Sequence, residues 1–100
     1  MAQLVEVSDG LFRLTGKVNF ANVPGLWAGS RQIFPKLKSE IVKFDVNDIT
    51  QIDSGGLAFL VSWARWANFY GKKFYIIGEN SQLKALVESN QLQTLLKAQT

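Results

Sequence analysis

The chain has 100 residues, 47% hydrophobic and 12% aromatic, which is enough apolar material for one real core and predicts one domain spanning residues 1–100. It has no histidine and no cysteine, so disulfides, thiol catalysis, Ser–His and Cys–His triads and the usual zinc sites are excluded. Net charge is +3, spread so that Lys36/Lys38 and Lys72/Lys73 are the only close pairs, a poor footprint for nucleic acid.

The N-terminal run Met1-Ala2-Gln3-Leu4-Val5-Glu6 lacks the basic and apolar regions of a signal peptide. No window approaches the ~20 apolar residues of a membrane span. The absence of cysteine suits the cytosol. Residues 3–7 and 11–18 read as two strands, with Asp9-Gly10 as the hairpin turn between them. In the second, Phe12, Leu14 and Val18 share one parity and Arg13, Thr15 and Lys17 the other, with Gly16 suited to a bulge. Asn19 can cap the element that follows.

Residues 20–37 predict a helix starting near Asn22 with Pro24 in its first turn. Val23, Leu26, Trp27, Ser30, Ile33, Phe34 and Leu37 keep helical spacing, and Pro35 ends or bends it. Residues 41–46 predict a strand with Val42, Phe44 and Val46 on one face. Asp45, on the other parity, either holds the following loop by hydrogen bonds or is a solvated edge residue.

The chain is organised around Ile49–Leu57. At its centre Asp53-Ser54-Gly55-Gly56 sets a carboxylate, a hydroxyl and two flexible residues at a helix start. Ser54 is the expected N-cap. Such a place can hold an anion, take a phosphate or dock a partner, or it can simply be a well-capped helix.

Residues 54–70 form the main predicted helix. Leu57, Leu60, Val61, Ala64 and Ala67 make the face that packs on the sheet. Phe59, Trp63, Trp66 and Tyr70 make a second stripe at i, i+4, i+7 and i+11. That stripe is either covered by the helix of residues 22–34 or by the C-terminal helix, or it is a docking face, since Trp and Tyr serve as interface anchors. Gly71 suits the residue just past the helix end. Residues 74–78 predict a buried strand, and Asn80 or Ser81 caps a helix through about Ser89. Leu92, Leu95 and Leu96 are expected in a short final helix, with Lys97–Thr100 a tail.

The order β-β-α-β-α-β-α-α implies an α/β fold: a small mixed sheet of about four to five strands, with parallel pairing in the last crossovers and helices mainly on one side. Asp45, Ile49 and Ile52, then Asp53-Ser54-Gly55-Gly56-Leu57-Ala58, a long helix ending at Gly71 and the strand after it resemble the STAS domain over nearly the whole chain. That family includes anti-sigma-factor antagonists and cytoplasmic domains of sulfate transporters. Antagonists typically carry Asp-Ser-Ser-Gly or Asp-Ser-Ala-Gly. The Asp-Ser-Gly-Gly variant is more similar to the MlaB branch, the STAS subunits of Mla phospholipid-transport ABC systems.

The resemblance implies a cytoplasmic accessory subunit with no chemistry and no cofactor of its own, held near the inner membrane by an ABC-type ATPase of the Mla type. The partner-binding residues would be Asp53, Ser54, Gly55, Gly56, Phe59, Trp63, Trp66 and Tyr70. The alternative is an antagonist of an anti-sigma factor kinase switched by phosphorylation of Ser54, against which Gly55 counts as a departure from the family pattern. An enzyme is disfavoured because Asp53 and Ser54 have no histidine beside them and Lys72/Lys73 fall at the far end of the helix. A small anion at Ser54–Gly56 remains open, with no nearby cation in sequence to secure it.

Overall fold

Gly10, at φ +88°, closes the turn at Asp9-Gly10 and joins β1 (Ala2–Ser8) to β2 (Leu11–Val18) as an antiparallel hairpin. The structure, a computed structural model, describes residues 1–92 and 97–99. After the hairpin come α1 (Val23–Ile33), a single 3-10 turn (Phe34–Lys36), β3 (Ile41–Asp45), β4 (Ile49–Ile52), α2 (Ser54–Phe69), β5 (Lys73–Ile77), α3 (Ser81–Ser89) and β6 (Lys97–Gln99). Pro24 sits in the first turn of α1, and Pro35 falls inside the 3-10 turn that ends it.

The sheet runs β1-β2-β3-β5-β6, and every pairing except β1–β2 is parallel. The first half of β2 (Leu11–Arg13) pairs with β3, and its second half (Gly16–Val18) pairs with β4. β3 and β4 are thus two pieces of one broken strand along a single edge of β2. The break is held by Asp45, whose Oδ1 accepts the Asn47 N–H at 2.9 Å and whose Oδ2 lies 3.9 Å from Arg13. Gly16, at φ +85°, marks the bulge where the β2–β4 register shifts.

The mixed α/β sheet expected from the sequence is present, with two differences. There are six strands among the described residues rather than four or five, because Ile49–Ile52 and Lys97–Gln99 both pair. Residues 97–99 form an edge strand on β5 instead of a tail. Leu92 follows the end of α3 without entering a helix; Leu95 and Leu96 lie outside the described residues.

Phe12, Leu14 and Val18 of β2, Val42 and Phe44 of β3, and Phe74 and Ile76 of β5 bury one face of the sheet under the helices. Arg13, Lys43, Tyr75 and Ile77 on the alternate parity keep solvent contact. Trp63 of α2 lies at the centre of this core, 0% exposed, edge-on to Phe44 (5.0 Å) and Phe34 (4.7 Å) and tilted against Phe12 (5.6 Å).

A buried indole needs a partner for its N–H, and Ser30 of α1 supplies it. Trp63 Nε1 donates to Ser30 Oγ at 3.0 Å, and Ser30 Oγ donates onward to the Leu26 carbonyl at 2.8 Å. Ser30 is therefore a fully buried hydroxyl that clamps α1 onto α2.

Replacing Ser30 with Ala leaves the indole N–H unpaired and should cost about 1–3 kcal/mol. Trp63→Ala should cost more, about 3–5 kcal/mol. Urea unfolding followed by far-UV circular dichroism measures both.

Candidate functional site

β4 delivers Asp53 in extended conformation (φ −119°, ψ −172°), and its N–H donates to the Val18 carbonyl at 3.3 Å. Asp53, not Ser54, is the N-cap of α2. Its Oδ1 accepts the Gly56 N–H at 3.0 Å, three residues on, which is the geometry a cap requires. Ser54 is the first helical residue, so its side chain lies outside the cap and faces solvent. Among the described residues its hydroxyl makes no hydrogen bond.

The second carboxylate oxygen of Asp53 reaches across to another segment. Oδ2 accepts the Phe20 N–H at 3.2 Å, tying the β2–α1 loop to the start of α2. The Gly56 amide is the main reason that Asp53 is held below the ordinary carboxylate range. Partial burial works against that, and the amides of Phe20, Gly55 and Asp53 itself reinforce it.

The two glycines answer to packing. A Cβ on Gly56 would overlap the Val18 carbonyl oxygen and crowd the Ile52 side chain at 2.8 Å. A Cβ on Gly55 would stand 2.9 Å from the Phe20 Cα and 3.1 Å from its amide nitrogen. Gly55 is thus required by how closely the Phe20 loop lies on the helix.

Phe20 itself is 79% exposed beside Ser54. With the helix starting after Asn22, as its sequence predicts, Phe20 belongs to the loop, where Asn19 Oδ1 accepts the Asn22 N–H at 3.0 Å. Its signal in the sequence was weak: one ring in a run of cap-forming residues. With Ser54 and the exposed Ala58 one turn later it gives a surface of small side chains flanked by one aromatic ring.

The anion slot that the sequence left open is already occupied by the chain's own carboxylate. The amides at this helix start serve Asp53, and the one ion pair among the described residues, Arg13–Asp45, lies elsewhere. Both Asp53 oxygens are engaged by amides, so the carboxylate is committed to structure. No cluster of metal-ligating side chains occurs among the described residues.

The aromatic stripe does not belong to this surface. Phe59 is 1% exposed and packs edge-on to Trp27 of α1 at 4.8 Å, and Trp63 is the core residue described above. The expectation that these two form a docking face is corrected: α1 and its 3-10 turn cover them. Trp66 is half-buried, stacked on Phe34 at 4.1 Å. Tyr70 is exposed, but it lies at the opposite end of a 16-residue helix, about 24 Å from Ser54.

The family model described as "Mlab, STAS domain" matches residues 4–97. The chain belongs to the STAS family.

Three solved structures share its fold. A putative anti-sigma factor antagonist from Thermotoga maritima superposes with a TM-score of 0.79 at 17% identity, covering 98% of this chain and 85% of that one. The antagonist SpoIIAA in unphosphorylated form gives 0.72 at 14% identity, with 100% and 88% covered. The phosphorylated form of SpoIIAA from Bacillus gives 0.71 at 14%, with 100% and 92% covered. No curated protein sequence matches the chain. In this STAS domain, as its sequence implied, Asp53-Ser54-Gly55-Gly56 opens the helix that crosses the sheet.

Because the folded-state pKa of Asp53 is lowered, its contribution to stability is fully present above the ordinary carboxylate value and is lost as pH falls through the lowered one. Asp53→Asn keeps a capping oxygen and removes the charge, so it should flatten the acid limb of the stability curve. Asp53→Ala should cost about 1 kcal/mol at neutral pH. Thermal melts at a series of pH values distinguish the two.

Proposed function

We propose that this STAS domain is a non-catalytic regulatory subunit whose partner lands on Ser54 and the exposed first turns of α2, with Phe20 as the apolar anchor beside it. The observation that carries this reading is the Ser54 hydroxyl. It is exposed on the first helical turn, makes no hydrogen bond among the described residues, and has the small exposed side chain of Ala58 one turn on. Asp53, Gly55 and Gly56 shape that surface from beneath. A Trp or Tyr anchor on the stripe is not needed.

The antagonist reading has the support of the fold relatives, one of which is known in both unphosphorylated and phosphorylated forms. In that reading the partner is an anti-sigma factor kinase and Ser54 is its target. A phosphate there would add about −1.5 to −2 charge next to the Asp53 carboxylate. Both anions would compete for the same few amides, and the Asp53–Phe20 tether, at 3.2 Å, is the longer of the two Asp53 bonds. The charge would act first on the Phe20 loop, and so on the docking surface itself.

The second reading has the support of the family model, described as Mlab. Here the partner is the ATPase subunit of an Mla-type phospholipid transporter, and the subunit sits at the cytoplasmic side of the inner membrane through it. Docking would favour one state of the ATPase by binding it better than the other. Both readings share an ATP-binding partner and one surface.

Ser54→Arg and Phe20→Ala should each weaken the complex tenfold or more in co-purification or calorimetry with either candidate, without loss of fold. If both leave binding intact, the surface is misassigned. Intact mass after incubation with the kinase, ATP and magnesium separates the readings. A gain of one phosphate that Ser54→Ala abolishes favours the switch. An unmodified chain that binds the ATPase favours the transporter subunit.

A further inference from the structure

The end of the molecule opposite Ser54 has a different chemistry. Phe69 is 82% exposed and Tyr70 60% exposed, at the C-terminus of α2. They are the last members of a chain of rings rooted in the core. Phe69 packs edge-on to Tyr70 at 5.1 Å, Tyr70 lies 5.0 Å from Trp66, and Trp66 stacks on Phe34. The outer rings therefore project into solvent from a base packed on the core.

The same contacts bring two basic segments together. The Phe34–Trp66 stack sets the end of α1 beside the end of α2, and Lys72 Nζ donates to the Ser39 carbonyl at 2.7 Å. Residues 31–40 and 65–73 contain six of the chain's eleven Lys and Arg residues and one of its eight carboxylates, Glu40, and a second carboxylate, Asp9, joins them by accepting the Lys38 N–H at 3.1 Å. Arg65 precedes Phe69 by one helical turn on the same face of α2, and Lys36 follows Phe34 by two residues.

We infer that this aromatic and basic end binds an anionic lipid surface. Two features favour a lipid surface over a protein. Phe69 and Tyr70 project from a helix end, and an interface of headgroups accepts projecting rings without a matching pocket. The cations flank them, as a negative leaflet requires. Because the Ser54 surface lies about 24 Å away along α2, lipid and a protein partner can be held at once. This inference does not depend on which partner docks at Ser54.

The test is sedimentation of the full chain with vesicles of phosphatidylcholine containing about one-third phosphatidylglycerol, against pure phosphatidylcholine. Binding is expected only to the anionic vesicles, and weaker at high salt. Phe69→Ser with Tyr70→Ser should lower it at least tenfold. Lys36→Gln or Arg65→Gln should lower it about fivefold each. All four positions lie outside the buried core, and circular dichroism verifies the fold. Ser54→Arg should leave vesicle binding unchanged. No binding to anionic vesicles, or binding that the aromatic substitutions do not alter, overturns the inference. So does equal binding to soluble polyglutamate, which would point to an acidic protein segment.

Discussion

Everything about this domain follows from how closely the first turn of α2 is pressed against the end of β2. The Val18 carbonyl accepts the Asp53 N–H and lies where any side chain at position 56 would have to be. Gly56 permits that approach, and no other residue can without displacing backbone. Once the helix starts there, its direction across the sheet is set. Asp53 completes the junction by capping the helix with one oxygen and holding the Phe20 loop with the other. Ser54 is exposed as a consequence, since its neighbours on both sides are committed to the contact.

From that start α2 reaches the centre of the sheet at Trp63, and the second half of the fold is built to receive it. An indole in the core contributes a large apolar area but brings an N–H that must be paired. The Ser30 hydroxyl meets that need from a second helix, and the 3-10 turn behind it places Phe34 on the other side of the ring. The helix is apolar on two faces because it is packed on two sides: by the sheet through Leu57, Leu60, Ala64 and Ala67, and by α1 through Phe59 and Trp63. A domain of this size can cover both faces because α1 and its trailing turn contribute Trp27 and Phe34 to the second one.

The elements with strong local signals were legible in the sequence. The Asp9-Gly10 turn, the alternation in β2, Pro24 and Pro35 at the ends of α1, Gly71 past the end of α2 and the Asn80 cap of α3 each act within a few residues of themselves. β4 was not legible. Its four residues carry two polar side chains between two isoleucines, and it is a strand only because β2 extends far enough to pair with it. Capping was misplaced by one residue because Asp53 and Ser54 are both competent caps, and the extended backbone that β4 imposes on Asp53 decides between them. The spacing of Phe59, Trp63, Trp66 and Tyr70 shows that they share a stripe and leaves their exposure open. Periodicity says which residues share a face, but what lies on that face is a tertiary fact.

The same limit applies to charge. Lys36/Lys38 and Lys72/Lys73 look scattered because more than thirty residues separate them, and nothing local connects them. Parallel strand order brings them to one end. β3 and β5 both enter the sheet there, next to the C-termini of α1 and α2, where cations are also favoured by the helix dipoles. Asp45 closes β3 and Glu79 follows β5, at the strand ends opposite the lysines. The scattered cations of the chain are thus gathered at one end of the fold, with Asp9 and Glu40 among them. A small net charge hides this gathering, and a single helix, with the exposed Ser54 at one end and exposed rings at the other, spans the fold.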